Sequence, residues 1–155
     1  MNEAEFTTLC EEQMHSLYRV SMAILHHHSD AQDAVQQAFM KAWTSRSRMY
    51  VGAEKAWLMQ ITINECRNVQ RQRMRMMPVE QLPEDGYMPP DTALRDAIQT
   101  LPEKWRLPLL LKYMEGMSEN ETARALSISR TVLKGRLFRA RKALKKALDE
   151  EMELE

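Results

Sequence analysis

Apolar side chains recur along most of this chain at steps of three and four, the spacing that lines one face of an α-helix. Phe6, Cys10, Met14, Leu17 and Ile24 share one side of a first predicted helix over residues 5–25. Ala31, Val35, Ala38, Phe39 and Ala42 make the inner face of a second, over residues 30–45. Ser29 stands where a cap belongs, and Asp30 and Asp33 suit the positive end of the helix dipole. A polar, basic turn follows at 45–52. Leu58, Thr62, Cys66 and Val69, with Trp57 and Ile61 beside them, then give an inner stripe to a third helix that starts near Ala53 and runs past Arg71.

The periodicity breaks at residues 77–91, which hold Pro78, Pro83, Pro89, Pro90 and Gly86. Prolines at that density exclude helix and strand pairing, so this stretch predicts a linker. Beyond it lies a short helix over 93–100. Leu101-Pro102 opens another, with proline in the first turn, where a missing N–H costs little. Pro108 should bend that helix, and Glu115 and Gly116 should end it. Ser118 stands three residues before Glu121, the spacing of a reciprocal side-chain cap, so a helix runs through Thr122, Ala123 and Leu126. Ser127 and Ile128 interrupt it, and Ser129 is placed to cap a longer helix. In that helix Leu133, Leu137, Ala140, Leu144 and Leu148 form a face that should be buried. The chain is therefore predicted to be all-α: two small helical domains, 1–77 and 93–155, joined by a Pro-rich linker at 78–92. The second contains a helix-turn-helix.

Charge adds a function to this outline. The 22 basic and 22 acidic side chains cancel, but they are segregated. From Arg124 to Lys146 there are nine basic residues and no acid: Arg124, Arg130, Lys134, Arg136, Arg139, Arg141, Lys142, Lys145 and Lys146. A short helix, a tight turn and a basic helix form the arrangement that lays its second helix in the major groove of DNA. Residues 67–75 alternate Arg with Gln, Asn and Met and lack acids. Beside a turn carrying Tyr50, such side chains can grip phosphates and stack on or bond to unpaired bases.

Other chemistry is weakly supported. Cys10 and Cys66 have no metal-like or redox-like spacing, as expected of buried thiols in a reducing cytoplasm. His26, His27 and His28 are adjacent, so their side chains diverge and cannot converge on one ion unaided; an exposed helix end or loop is the expectation. No HExxH, nucleophile motif or phosphate loop is present, so neither a catalytic residue, a metal nor a cofactor is predicted. The acidic N-terminus is unlike a signal peptide and no apolar run reaches membrane-spanning length, so a cytoplasmic protein without membrane insertion is expected.

Three segments carry a resemblance. SDAQDAVQQAFMKAW, KAWLMQITINECRNVQRQR and LPEKWRLPLLLKYMEGMSENETARALSISRTVLKGRLFRARKAL resemble, in order and spacing, the conserved regions of the sigma-70 family in its extracytoplasmic-function (ECF) class. The resemblance implies a promoter-specificity subunit of bacterial RNA polymerase, with core polymerase and promoter DNA as partners and no small-molecule substrate. By it, Asp33, Gln36, Gln37, Met40 and Lys41 would dock on the clamp coiled coil of the largest polymerase subunit. Arg48, Tyr50, Asn64, Arg67, Asn68 and Arg71 would recognise and open the −10 element. Ser129, Arg130, Thr131, Lys134, Gly135, Arg136, Phe138, Arg139 and Arg141 would meet the −35 element. An anti-sigma factor is a further implied partner. Thr122 stands where the family usually has an apolar residue, Ser127 where it usually has Gly, and Asn68 where Asp is common. Two readings of other classes stay open at this point: a helix-turn-helix regulator acting without polymerase, and a metal-dependent hydrolase built on the histidines.

Overall fold

Asn2 starts the first helix, its side-chain oxygen accepting the Glu5 N–H at 2.8 Å. In this computed structural model, which describes residues 1–76 and 93–153, helix α1 spans Glu3–Leu25. The predicted linker lies outside the described residues. Helix α1 ends at His26, whose φ of 53° turns the chain left-handed, and its N–H closes on the Met22 carbonyl. His27 is extended, and its Nδ1 accepts the Asp30 N–H at 3.3 Å, capping α2, His28–Thr44. The expected cap, Ser29, is not used. Two residues suffice for the turn, so Ser29 falls inside the first helical turn together with Asp30, and Asp33 lies beyond it. His26 and His27 are therefore the turn itself, and His28, the first residue of α2, is hydrogen-bonded to Tyr18 of α1.

A 3₁₀ turn at Arg46–Arg48 and Gly52, at φ 78°, lead into α3, Glu54–Arg75. Helices α1, α2 and α3 pack on one another around Leu17, Val20, Leu25, Leu58, Met59 and Ile63. Helix α2 offers mainly alanine to that core, Ala31, Ala34, Ala38 and Ala42 (all but sealed from water), which lets its neighbours approach closely. Met14 is exposed and Phe39 only half-buried, contrary to expectation. At about 100° per residue each lies some ~70–85° from the centre of its helix's buried face, at the margin of the stripe. Ile61 and Val69 are also half-buried; Ala56, Met59 and Ile63 take their place in the core, since α3 is packed by two helices. Arg73 locks the end of α3 to the histidine turn, donating from Nε to Asp30 Oδ2 at 3.1 Å and from Nη1 to the Leu25 carbonyl at 3.0 Å. Cys10 and Cys66 are buried thiols outside any disulfide, and burial, aided by Glu11, pushes the Cys10 thiol up to about 11.

The chain divides into two compact units, Met1–Tyr87 and Met88–Glu155. The second holds α4, Ala93–Gln99; α5, Glu103–Leu109; a π turn, Leu110–Met114; α6, Glu119–Leu126; and α7, Arg130–Glu153. Pro108 denies the helix a backbone donor, and after Leu109 the helix widens into the π turn. Gly116, at φ 67°, ends it. Ser118 and Glu121 form the expected reciprocal cap, both bonds at 3.1 Å. Leu133, Leu137 and Ala140 are buried, but Leu144 and Leu148 are half-buried where full burial was expected. Helix α7 has 24 residues, while α4, α5 and α6 have seven, seven and eight, so it outruns its cover.

Two polar groups strain this unit. Thr122 is fully buried with its hydroxyl unbonded, an arrangement that costs about 1–3 kcal/mol. Arg106 is buried with Nη1 on the Leu101 carbonyl at 3.3 Å and Nε unbonded; desolvation draws its pKa below the usual arginine range, opposed by Glu103.

Ser127 makes the turn of the helix-turn-helix at φ 59°. A Cβ in that region costs roughly 1 kcal/mol, which glycine avoids. Ser127→Gly is therefore expected to stabilise the second unit by about 1 kcal/mol, seen as a higher denaturation midpoint with unchanged slope.

Candidate nucleic-acid interfaces

Helix α2 exposes Asp33, Gln36, Gln37, Met40 and Lys41 on the side turned away from its buried alanines, with Lys41 at the margin toward α3. Met40 is 64% exposed between polar neighbours. One acid, one base, two amides and a flexible apolar side chain suit a protein surface better than a polyanion.

Helix α3 carries the next group. Asn64 and Arg71 are exposed, while Arg67 and Asn68 are half-buried. Arg48 is exposed in the 3₁₀ turn. Tyr50 is half-buried, its hydroxyl donating to Gln60 Oε1 at 2.6 Å, so its ring is anchored to α3. Trp57, at 4% exposure, belongs to the core and cannot stack on a base.

These two sets meet, which the sequence did not reveal. An open groove between α2 and α3 is lined by Asp33, Gln37 and Lys41 on one wall and by Asn68 and Arg71 on the other. Glu65 lies in the same groove and was missed by sequence reasoning. It is buried, it pairs with Lys41, and it accepts from Asn68 Nδ2 at 3.4 Å. The only trace of it in sequence is a lone acid just before the Arg-rich run; its partner stands 24 positions earlier, on another helix.

In the second unit Arg130, Thr131, Lys134, Phe138, Arg139 and Arg141 are exposed along α7, and Gly135 and Arg136 are half-buried. Ser129 is exposed, but its hydroxyl is engaged as the cap, accepting the Val132 N–H at 3.1 Å. Phe138 is 69% exposed, an aromatic ring on an otherwise cationic face. Arg141 donates from Nε and Nη2 to the Tyr113 hydroxyl at 2.9 and 2.6 Å, so the π turn orients it. Glu119 is the acid beside this face. Its carboxyl is held below the usual range by a hydrogen bond and the charge of Lys112, at 2.9 Å, with Lys134 and Arg130 adding smaller contributions. It lies 4.0 Å from Arg130 and so restrains that side chain at the start of the helix. A Cβ on Gly135 would meet only Arg139 Nη1, at an ordinary 3.4 Å, so packing does not require glycine there.

Among the described residues no three His, Cys, Asp or Glu side chains are grouped to hold a metal ion, and no helix is long and apolar enough to cross a membrane.

The chain matches two protein families, Sigma-70 region 2 over residues 9–76 and Sigma-70, region 4 over residues 91–144. It is 30% identical to the RNA polymerase sigma-H factor of Pseudomonas aeruginosa, covering 92% of this chain and 86% of that protein. It is also 30% identical to the ECF RNA polymerase sigma factor SigM of Mycobacterium tuberculosis, covering 92% and 76%. Among solved structures it shares the fold of the sigma factor RpoE from Bartonella quintana, crystallised with the anti-sigma factor NepR. The TM-score is 0.79 at 24% identity, over 94% of this chain and 97% of that one.

Proposed function

The chain belongs to the sigma-70 family, in its ECF class, and directs core RNA polymerase to promoters; from that premise we propose how its residues divide the task. Residues 1–77 serve polymerase binding and the −10 element, residues 78–92 link, and residues 93–155 serve the −35 element. The observation that carries this division is that each unit buries one apolar side and presents a distinct polar face: mixed and amide-rich on α2 and α3, cationic on α7.

The exposed face of α2 docks on the polymerase clamp. Opening a promoter requires a surface with higher affinity for unpaired than for paired bases, since only differential affinity shifts the duplex equilibrium. Asn64, Arg67, Asn68 and Arg71, one to two helical turns apart on α3, offer amide and guanidinium donors to an unstacked strand, with Arg48 and Tyr50 beside them. On α7, Arg130, Lys134, Arg136 and Arg139 supply phosphate and base-edge donors to the −35 duplex, and Thr131 and Phe138 supply apolar contact. Each DNA surface is small. Useful affinity comes from tethering both units to polymerase, which raises their effective concentration at the promoter.

The protein contributes binding surfaces rather than reacting groups, needs no cofactor, and acts in the cytoplasm. An anti-sigma factor is the regulatory partner that fits these faces, by analogy with the Bartonella sigma factor crystallised with NepR.

Asn64→Ala tests the −10 assignment without disturbing the core, because Asn64 is exposed. Loss of one base contact is expected to lower promoter opening about tenfold, read as permanganate reactivity of unpaired thymines, with polymerase affinity unchanged. Undiminished reactivity would remove Asn64 from the melting surface.

A further inference from the structure

Glu65 is only 7% exposed, and a buried polar side chain needs partners within hydrogen-bond reach. It has two: Lys41 of α2, in an ion pair, and Asn68 Nδ2, one turn further along α3, at 3.4 Å. At its other end Asn68 accepts, through Oδ1, a hydrogen bond from Arg71. The links Lys41–Glu65–Asn68–Arg71 thus cross the groove from the helix assigned to polymerase to the helix assigned to the −10 element. A side-chain amide can lie either way round, whereas a carboxylate can only accept. Glu65 therefore fixes Nδ2 toward itself and leaves Oδ1 to hold the guanidinium of Arg71.

We infer that Glu65 is a positioning residue for −10 selectivity: it touches no DNA, but it sets the orientation in which Asn68 and Arg71 meet the promoter strand. This rests on the −10 role proposed above for Asn68 and Arg71. Glutamine at position 65 would keep the size, lose the charge and offer a donor of its own, so the Asn68 amide could turn and release Arg71.

The test is transcription by core polymerase with the full chain, from promoters differing only in the −10 element. The quantity read is the ratio of transcript from the preferred element to that from the least preferred. Glu65→Gln is expected to reduce this ratio about fivefold. A purely structural role would lower every promoter alike and leave the ratio unchanged, and that result overturns the inference. Arg71→Ala separates the two levels of argument. If it flattens the ratio while Glu65→Gln does not, only the positioning role fails; if Arg71→Ala has no effect, the −10 assignment fails and takes the positioning role with it. Should Glu65→Gln not fold, Glu65→Asp, which draws the carboxylate back from Asn68, is read in the same way.

Discussion

Replacing both Asp33 and Gln36 by Lys is expected to weaken binding to core RNA polymerase by about tenfold or more, with helix content unchanged. Both side chains are exposed and neither touches the alanine face that packs α2 into its bundle, so the fold has little reason to respond. Asp33 lies beyond the first turn, whose cap is His27, so no cap is lost. The interface responds strongly: one acid is lost and two ammonium groups are gained on the face that also carries Lys41, which turns a mixed face into a cationic one. Like charges brought together on docking cost several kcal/mol and chiefly slow association. Titration of labelled core polymerase with the variant, alongside circular dichroism, separates loss of binding from loss of structure. Unchanged affinity would remove the outer face of α2 from the polymerase interface.

The second large effect belongs to α7. Arg130→Ala with Lys134→Ala should cut transcription from −35-dependent promoters about tenfold or more while leaving polymerase affinity intact. Both side chains are exposed, alanine suits a helix, and Leu133 and Leu137 continue to anchor α7. Loss of two phosphate contacts also lowers the salt dependence of promoter binding, by about 0.9 in log–log slope per contact. Glu119 faces Lys112 and lies near both Lys134 and Arg130, so part of the charge of each is already offset in the protein, and the fall in slope should stay below the full value for two isolated contacts. If transcription and slope both stay level, the start of α7 does not read the −35 element.

Sequence and structure agree where local chemistry decides the outcome. The Ser118–Glu121 cap, the Ser129 cap and the interruption at Ser127 depend on neighbours within four residues, and all appear as expected. Elsewhere burial depends on what lies opposite. Met14, Phe39, Leu144 and Leu148 have correct helical spacing, but spacing cannot say how wide a neighbour's cover is or where it stops. At the histidine turn the cap is His27 and not Ser29, because the turn closes in two residues, and nothing local favours His over Ser there. Lys41 and Glu65 meet across two helices, so neither their pairing nor the shared groove could be read from a one-dimensional pattern. The family resemblance supplied the assignment of faces to partners. Periodicity and charge alone would have reached a helix-turn-helix DNA-binding protein and no further.

The most direct measurement is transcription in vitro, with purified core RNA polymerase and the DNA upstream of this protein's own coding sequence, in the presence and absence of the protein. A discrete transcript that requires the protein, and that fades both with lysine at positions 33 and 36 and with alanine at 130 and 134, is the predicted result. No binding to core polymerase, together with tight binding of the protein alone to duplex DNA, would contradict it and identify instead a regulator that acts without polymerase.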